Sequence, residues 1–304
     1  MHDKVYDQLA AVEDRHWWHA SRNELLRLYL RRLSLPTRAT ALDIGCGTGS
    51  ALGVLSEFTE RVIGVDCSDR AIALAGRKHP FTELHTADIH ELPGLLATER
   101  FDLITLLNVL YHEWVPDELV ALQSIWQLLN PGGFLLITDA AFNCLYRRHD
   151  RVGMGKRRYT LSNLREQLCK AGFEWTTGTY FNAASLPIIG AMALWDRVAP
   201  TEADEAPLRE LEVPPFPVNQ AMKWTMALER AVLRVIRKVP LGVSLLCIGR
   251  KPLARIDCSE KWIKERADNS LDDDGFEQQN RSAENHPSRA RSAGHIACRR
   301  LTHG

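Results

Sequence analysis

The first segment of the chain carries apolar residues at helical spacing. The leucines that recur with this period are Leu25, Leu26, Leu28, Leu30 and Leu33. Pro36 follows them, and proline cannot continue a helix. The pattern therefore predicts a helical cap over residues 1–36.

Beyond this cap, short apolar runs alternate with amphipathic segments. Strands are predicted at 40–44, 61–65, 82–87, 101–107 and 134–138. Helices are predicted at 50–58, 68–77 and 117–129, the second with Ser68 as its N-cap and the third ended by Asn130, Pro131, Gly132 and Gly133. Apolar strands that alternate with helices are typical of a parallel sheet covered on both faces, with ligands at the carboxyl ends of the strands. The predicted fold is a doubly wound, mostly parallel α/β sheet.

After Asp139 the alternation becomes less regular. The predicted elements are a basic loop at 147–158, a helix at 161–171 ended by Gly172, a strand at 173–181, an apolar helix at 183–198, a proline-rich connection at 199–217, a helix at 219–238 and a strand at 243–248. From residue 254 the apolar pattern stops and polar residues dominate, which is typical of disorder. We divide the chain into a helical cap (1–36), a cofactor-binding core (37–140), a segment that completes the sheet and adds substrate-side helices (141–253), and a disordered tail (254–304).

The segment from Ala41 to Gly49 joins the first predicted strand to a helix through a turn. Gly45, Gly47 and Gly49 stand at alternate positions, where they let the backbone bend sharply and let a ligand lie against bare peptide. The helix that follows offers unpaired N–H groups and positive potential at its N-terminus. This combination predicts a binding site for a carboxylate, a phosphate or a ribose.

Three carboxylates accompany the ends of successive predicted strands. Asp43 precedes the glycines, where it would repel a pyrophosphate and suit an ammonium group. Asp66 is placed to accept hydrogen bonds from ribose hydroxyls and Asp88 from an adenine amino group, although a role for Asp88 in capping a local turn stays open. In addition, Ser50 stands where the dinucleotide fingerprint has its third glycine, so a nicotinamide cofactor is disfavoured.

These motifs resemble those of class I methyltransferases that act on small molecules and use S-adenosylmethionine. The resemblance is carried by Leu42-Asp43-Ile44-Gly45-Cys46-Gly47-Thr48-Gly49, Val62-Ile63-Gly64-Val65-Asp66, Ala87-Asp88, Phe101-Asp102-Leu103-Ile104 and Leu129-Asn130-Pro131-Gly132-Gly133-Phe134. It implies a seven-stranded Rossmann-like fold in which the turn holds the methionine part of the cofactor, the second-strand acid the ribose and the third-strand acid the adenine. The cofactor-binding residues that it implies are Asp43, Gly45, Cys46, Gly47, Gly49, Asp66, Asp88, Ile89, Asn108 and Val109.

A narrower resemblance extends outside the core, to a methyltransferase type 11-like bacterial subgroup with poorly defined substrates. It is carried by Glu13-Asp14-Arg15-His16-Trp17-Trp18 with Arg22, by Arg157-Arg158-Tyr159-Thr160, and by Leu241-Gly242-Val243-Ser244-Leu245-Leu246. The candidates for contact with the substrate are Trp18, Arg22, Arg158 and Tyr159.

His112 is the candidate catalytic residue. It follows the fourth predicted strand, which lies beside the sulfonium of the cofactor in this fold. An oxygen acceptor must lose a proton, and histidine is the usual base near neutral pH. Contact with the substrate or cofactor, and simple packing, stay open as roles of His112. Because the cofactor is already activated, the protein mainly has to align the acceptor with the methyl group.

Three further features have both a functional and a structural interpretation. Trp17 and Trp18 form either a lid over the cofactor or a contact that docks the helical cap. The basic segment 147–158 either receives an anionic substrate or is a solvated loop. The apolar helix 183–198 is a substrate lid, a membrane-surface helix or part of the core. The expected acceptor is a small molecule, with an anionic or lipid-linked one and contact with a membrane surface left open.

Composition and charge limit the alternatives. Lys plus Arg and Asp plus Glu each total 38, so no net charge favours nucleic acid as a partner. Seven scattered cysteines without a Cys-x-x-Cys pair argue against a disulfide framework and a zinc site, and no metal is expected. The N-terminus is polar and has no signal-peptide core, so the predicted location is cytoplasmic. An NAD-dependent oxidoreductase and a non-catalytic cofactor-binding protein remain as alternatives.

Overall fold

A computed structural model of the chain describes residues 3–198 and 212–253, all of which lie within one compact unit. The tail expected to be disordered (254–304) and most of the proline-rich connection (199–217) lie outside the described residues. None of the helices in the described ranges is long and apolar enough to span a membrane.

Seven strands form a mixed sheet in the order β3-β2-β1-β4-β5-β7-β6. The strands are β1 (Thr40–Ile44), β2 (Arg61–Asp66), β3 (Glu83–Thr86), β4 (Phe101–Leu107), β5 (Leu129–Ala140), β6 (Glu174–Phe181) and β7 (Ser244–Arg250). β1 to β5 are parallel to one another, and β7 runs antiparallel to both of its neighbours, β5 and β6. The predicted doubly wound, mostly parallel α/β sheet is confirmed.

Helices cover both faces of this sheet, as continuous apolar strands require. In the described part of the chain they are α1 (Asp3–Val12), α2 (Trp17–Leu30), α3 (Leu52–Leu55), α4 (Asp69–Lys78), α5 (Leu92–Leu95), α6 (Glu118–Leu128), α7 (Arg148–Val152), α8 (Leu161–Lys170), α9 (Leu186–Val198) and α10 (Phe216–Ile236). Ser68 caps α4 as predicted, since its hydroxyl accepts a hydrogen bond from the backbone N–H of Ala71 at 3.2 Å.

Two predicted boundaries are wrong for identifiable reasons. The helix expected over 50–58 is only α3, because the hydroxyls of Ser56 and Thr59 donate to carbonyls four residues earlier, at 3.0 and 2.9 Å. Such side-chain bonds compete with a regular helix. The residues 130–133, expected only to end a helix, belong to β5, because the backbones of Gly132 and Gly133 pair with Lys251 at 2.8 Å.

The N-terminal cap docks on the C-terminal part of the chain. The backbone N–H of Trp17 donates to the side chain of Asn219 in α10 at 2.8 Å, and the Arg32 guanidinium donates to the carbonyl of Leu233 at 2.8 Å. On the inner side, α2 buries Leu25 and Leu26 in the apolar layer that covers one face of the sheet. The cap is therefore held against the sheet by residues some two hundred positions later in the chain.

Candidate active site

The carboxyl ends of the parallel strands open into a cavity of about 580 Å³. Its walls come from the turn after β1, from α1 and α2 of the cap, and from α9. The turn lies where the chain switches from one half of the sheet to the other, between β1 and β4, which is where open α/β sheets bind ligands. All the predicted cofactor-binding residues except Gly49 line this cavity, together with His112, Trp18, Arg22 and Arg158.

The glycines of the turn are required by the backbone. Gly45, Gly47 and Gly49 have φ values of +70°, +56° and +88°, which side chains strain to adopt. A Cβ atom on Gly45 would also lie 2.4 Å from Cγ2 of Val109, so Gly45 and Val109 are in close contact. Gly49 packs against His79 and does not line the cavity. The carbonyl of Gly49 bonds to Nε2 of His79 at 2.9 Å. The turn therefore presents bare backbone to the cavity only at its earlier residues.

Asp66, at the end of β2, is tied to the glycine turn. One carboxylate oxygen accepts a hydrogen bond from the backbone N–H of Gly47 at 2.9 Å, and the other accepts from Ser68 at 3.0 Å. Burial raises the pKa of Asp66, while these backbone bonds act in the opposite direction. The oxygen bonded to Gly47 keeps a second lone pair that can face a ligand, whereas the oxygen bonded to Ser68 also lies 3.5 Å from the hydroxyl of Tyr6. Asp66 is thus oriented by the backbone and still lines the cavity.

Asp43 is buried beneath the turn and bonds to the neighbouring strand. The hydroxyl of Thr105 in β4 donates to its carboxylate at 2.6 Å. Burial raises the pKa of Asp43 to about 6, and the Thr105 bond and the charge of Arg22 limit the increase. Asp43 is therefore a buried hydrogen-bond acceptor at the floor of the cavity. A cation beside it would favour its charged form.

Arg22 lies against the glycine turn. Its Nη2 donates to the hydroxyl of Ser50 at 2.6 Å, directly after the last glycine. Its Nε is buried and has no hydrogen-bond partner within residues 3–198 and 212–253. Sequence reasoning placed Arg22 with the substrate residues, whereas the structure puts this buried donor beside the turn and near Asp43.

Of the two roles left open for Asp88, the structure contains the local cap, and the contact with adenine stays a prediction. Asp88 caps a local turn, since its carboxylate accepts from the backbone N–H of His90 at 2.9 Å and its own N–H donates to Glu91 at 3.0 Å. It also lines the cavity beside the buried Ile89. On the other wall, Asn108 has a φ of +64°, which turns the chain sharply at the end of β4 and brings Val109 against Gly45.

His112 is buried at the wall of the cavity between two aromatic rings. The ring centroids of Tyr111 and Trp114 lie 4.1 and 4.5 Å from that of His112. Its Nδ1 lies 3.4 Å from the carbonyl oxygen of Met154, which can only accept, so that contact favours the tautomer that carries its proton on Nδ1 and leaves Nε2 unprotonated. Burial lowers the pKa of His112 to about 4. The imidazole is therefore neutral at physiological pH.

The basic segment is only in part a solvated loop, since Arg151 and Lys156 are exposed whereas other members are buried. It contains α7, and both Arg147 and Arg158 are buried. The guanidinium of Arg158 donates two hydrogen bonds of 3.0 Å to the carboxylate of Asp150. Arg147, Asp150 and Arg158 line the cavity with His149, next to α9, where Arg147 contacts the sulfur of Met192 at 3.0 Å. A bidentate buried pair of this kind holds the wall in one geometry.

Two other predicted contacts have a clear structural role. The ring of Trp18 lies parallel to that of Phe181 at a centroid distance of 5.6 Å, so Trp18 docks the cap and also lines the cavity. Tyr159 is buried outside the cavity lining, and its hydroxyl donates to the carbonyl of Leu110 at 2.9 Å. Its expected contact with the substrate is replaced by a bond that anchors the loop preceding His112.

Sequence reasoning missed Glu13 and Tyr6 as cavity residues. Glu13 is buried, and its carboxylate accepts from the hydroxyl of Thr48 in the turn and from Lys78 at 2.9 Å. Tyr6 points its hydroxyl toward Asp66 at 3.5 Å. The only signal for Glu13 was its place in the motif before Trp17, and no spacing rule pairs a residue in the cap with a turn some 35 positions later.

The profile of a family described as a methyltransferase domain matches residues 17–177, just over half of the 304-residue chain. This range begins in α2, includes the glycine turn, the strand-end acids and His112, and ends in β6.

Similar proteins carry out methyl transfer on different small molecules. The chain is 30% identical over 138 residues to a dTDP-4-amino-2,3,4,6-tetradeoxy-D-glucose N,N-dimethyltransferase of Saccharopolyspora spinosa, covering 45% of this chain and 53% of that protein. It is 33% identical over 118 residues to a trans-aconitate 2-methyltransferase of an Azoarcus species, covering 38% of this chain and 45% of that protein. The chain thus spans about half the length of these curated relatives.

Among solved structures, the fold is similar to a chain from the complex that contains the Trm112 methyltransferase activator of Haloferax volcanii. The TM-score is 0.53 with 20% identity, and the match covers 82% of this chain and 95% of that one. At this identity the match supports the fold alone.

Proposed function

The chain belongs to the methyltransferase-domain family, and we propose that it transfers a methyl group from S-adenosylmethionine to a small-molecule acceptor. The observation that carries the proposal is the cavity in which the glycine turn and the acids Asp43, Asp66 and Asp88 meet. Methylation at oxygen, nitrogen or carbon stays open. The alternative of a nicotinamide-dependent oxidoreductase finds no support in the family or in the site.

The residues around the turn fit S-adenosylmethionine. Bare backbone at Gly45 and Gly47 would hold its methionine part, with Asp43 toward the ammonium group. The buried Nε of Arg22 needs an acceptor, which the cofactor carboxylate would supply. When bound, the cofactor supplies a methyl group already activated on a positively charged sulfur.

The remaining acids fit the nucleoside part of the same molecule. The carboxylate of Asp66 would accept hydrogen bonds from ribose hydroxyls, since its backbone bonds already orient it. Asp88 and Ile89 would contact the adenine, one through its carboxylate and the other through apolar packing. We therefore assign the turn side of the cavity to the cofactor.

The other side of the cavity is left for the acceptor. We assign this side to His112, Arg147 and His149, with Ile189 and Met192 of α9 as its apolar wall. A cationic group next to an apolar wall suits an acceptor with an acidic group and an apolar part, which covers the anionic and the lipid-linked alternatives. His112, neutral and with its proton on Nδ1, would accept the proton of a hydroxyl acceptor at Nε2. A cytoplasmic location stays a prediction of the sequence.

Calorimetry and product analysis test this function in two steps. Titration of the purified chain with S-adenosylmethionine should give saturable binding, whereas NAD should give none. Incubation with methyl-labelled S-adenosylmethionine and a small-molecule extract should then yield a labelled product and S-adenosylhomocysteine. Binding without any product across broad extracts would favour a non-catalytic cofactor-binding protein, and absence of S-adenosylmethionine binding would exclude the proposal.

A further inference from the structure

The outward face of α10 is apolar. Trp224, Leu228, Ala231 and Val235 follow one another at i, i+4, i+7 and i+11, a spacing that places them in one stripe along the helix. Trp224 and Leu228 are each 69% exposed and Val235 is 80% exposed. An exposed stripe of this length differs from single apolar residues scattered on a surface, and contiguous stripes mark interaction sites.

This stripe is not needed to hold α10 in place. The opposite face buries Met226 and Leu233, which are 2% and 0% exposed, in the apolar layer shared with α2. A helix that only packs on a domain needs one apolar face and keeps the other polar. α10 therefore carries a second apolar face whose burial is left to something outside the described chain.

The charged residues that α10 itself carries beside the stripe are of one sign. On α10 and directly after it the cations are Lys223, Arg230, Arg234, Arg237 and Lys238. The helix has one acid, Glu229, and its carboxylate turns inward to accept from the backbone N–H groups of Asn182 and Ala183 at 2.6 and 2.9 Å. Because the whole chain has no net charge, this local excess of positive charge is a property of the helix.

α9 starts next to the residues that Glu229 binds and shows a similar arrangement. Ile188, Trp195 and Val198 are exposed, whereas Ile189 and Met192 of the same helix line the cavity. One side of α9 thus forms the acceptor wall and another side is apolar and open.

We propose that α10, with the exposed residues of α9, docks on a lipid surface that carries negative charge. A helix that lies in a membrane interface pairs an apolar face containing Trp and Leu with Lys and Arg at its edges. Trp prefers the headgroup level, and long cationic side chains reach the headgroups while their stems cover apolar area. The contact is peripheral, and it goes beyond the methyl transfer proposed above.

Charge complementarity selects an anionic lipid surface over a second copy of the chain. Two α10 stripes packed on each other would bring the cations of both helices together, and only Glu229, already bonded to Asn182 and Ala183, offers opposite charge on the helix. Anionic headgroups attract each nearby Lys or Arg, and salt weakens that attraction.

Flotation of the full-length protein with lipid vesicles tests the proposal without cofactor or acceptor. We expect binding to vesicles of phosphatidylcholine mixed with phosphatidylglycerol, and little binding to phosphatidylcholine alone. Leu228→Glu should abolish binding, and Arg234→Glu with Lys238→Glu should weaken it by roughly fivefold or more. Phe81→Glu is the matched control, because Phe81 is fully exposed outside both helices and its replacement should leave binding unchanged. Unchanged melting temperature and calorimetric binding of S-adenosylmethionine would show that each variant is folded.

Several outcomes would overturn the proposal. Equal binding to neutral and charged vesicles removes the role of the cations, and wild-type binding by Leu228→Glu removes the role of the stripe. A dimer in light scattering that Leu228→Glu dissociates, without vesicle binding, would make a second copy the occupant. Binding that appears only after Glu202, Asp204, Glu205 and Glu210 are replaced by serine would make that acidic segment of the chain the occupant. The vesicle readout is independent of methyl transfer, so either proposal can fail alone.

Discussion

The carboxylate of Glu13 in the N-terminal cap accepts a hydrogen bond from the hydroxyl of Thr48 in the glycine turn. The same carboxylate accepts from Lys78 at the end of α4 at 2.9 Å, and Glu13 itself is buried. Since Thr48 stands between Gly47 and Gly49, this bond fixes the cap against the segment that would hold the cofactor. The same carboxylate therefore holds the cap at the wall of the cavity and holds the glycine turn in its conformation.

Replacing Glu13 by alanine should destabilise the folded chain and loosen cofactor binding. The substitution removes the acceptor of two hydrogen bonds at a buried position, and bonds to a charged group contribute roughly 1.5–3 kcal/mol. Chemical denaturation and calorimetry would measure both effects. Asp14→Ala is the matched control, since exposed Asp14 also bonds to Lys78, at 2.6 Å, but does not touch the turn. Equal losses in both variants would mean that only the lysine contact matters.

Asp66→Ala should lower the affinity for S-adenosylmethionine by at least about tenfold, which corresponds to the loss of one bond to a charged acceptor. The fold should survive, because the backbone donor of Gly47 lies at the cavity wall and Ser68 is only partly buried, so water can replace the lost acceptor. Asp69→Ala, an exposed acid three residues later, should bind as the wild type does. A folded Asp66→Ala protein with unchanged affinity would place the ribose elsewhere.

Gly45→Ala should weaken cofactor binding through strain. The new Cβ would meet Val109 Cγ2 at 2.4 Å on a backbone with a φ of +70°, so either the turn or Val109 must move. Pairing it with Val109→Ala should recover part of the affinity by removing the clash, although the cost of the φ angle persists. Gly94→Ala is the control, since its Cβ would meet no atom within 4 Å. Wild-type affinity in Gly45→Ala would show that the turn tolerates a side chain.

His112 should act on methyl transfer more than on cofactor binding. If its Nε2 accepts a proton from the acceptor, His112→Phe should keep the aromatic packing with Trp114 and lower turnover by roughly 10²–10⁴-fold. Because burial lowers the pKa of His112 to about 4, the group is neutral above that range and turnover should fall only as the pH drops toward 4. Steady-state rates against pH, with calorimetry for cofactor affinity, would measure this. Full turnover in His112→Phe would leave alignment as its only contribution.

Asp139 should make stability depend on pH. Burial at the end of β5 raises its pKa from 3.8 to about 8, against backbone bonds from Ala140 and Tyr111. Between these two pKa values the folded state holds a proton that the unfolded state has released. The stabilisation that comes from this proton is fully present below about pH 4 and is lost as the pH rises through 8. Asp139→Asn cannot titrate. In urea denaturation, the free energy of unfolding of the wild type should fall relative to that of the variant as the pH rises from 4 to 8. A difference between the two proteins that does not change with pH would contradict this.

Sequence alone determined the core of the fold because its signals are local. β1 and β4 match their predicted ranges, since strands buried on both faces are continuous apolar runs. The glycine turn is likewise readable from the sequence, because a positive φ at Gly45 or Gly47 depends on the residue itself. Ser68 caps α4 through a bond that spans three residues, so its spacing was sufficient.

Only the tertiary structure decided which distant residues meet. Nothing in the spacing of Glu13 and Thr48, or of Trp17 and Asn219, pairs them, because these bonds form only after the sheet has placed the cap and α10 on one side. The burial of Arg158 in a basic segment depends on Asp150 facing it inside the fold. Whether a charge is buried, or an apolar face is exposed as on α10, depends on which elements pack against it. The linear sequence pattern does not show which elements these are.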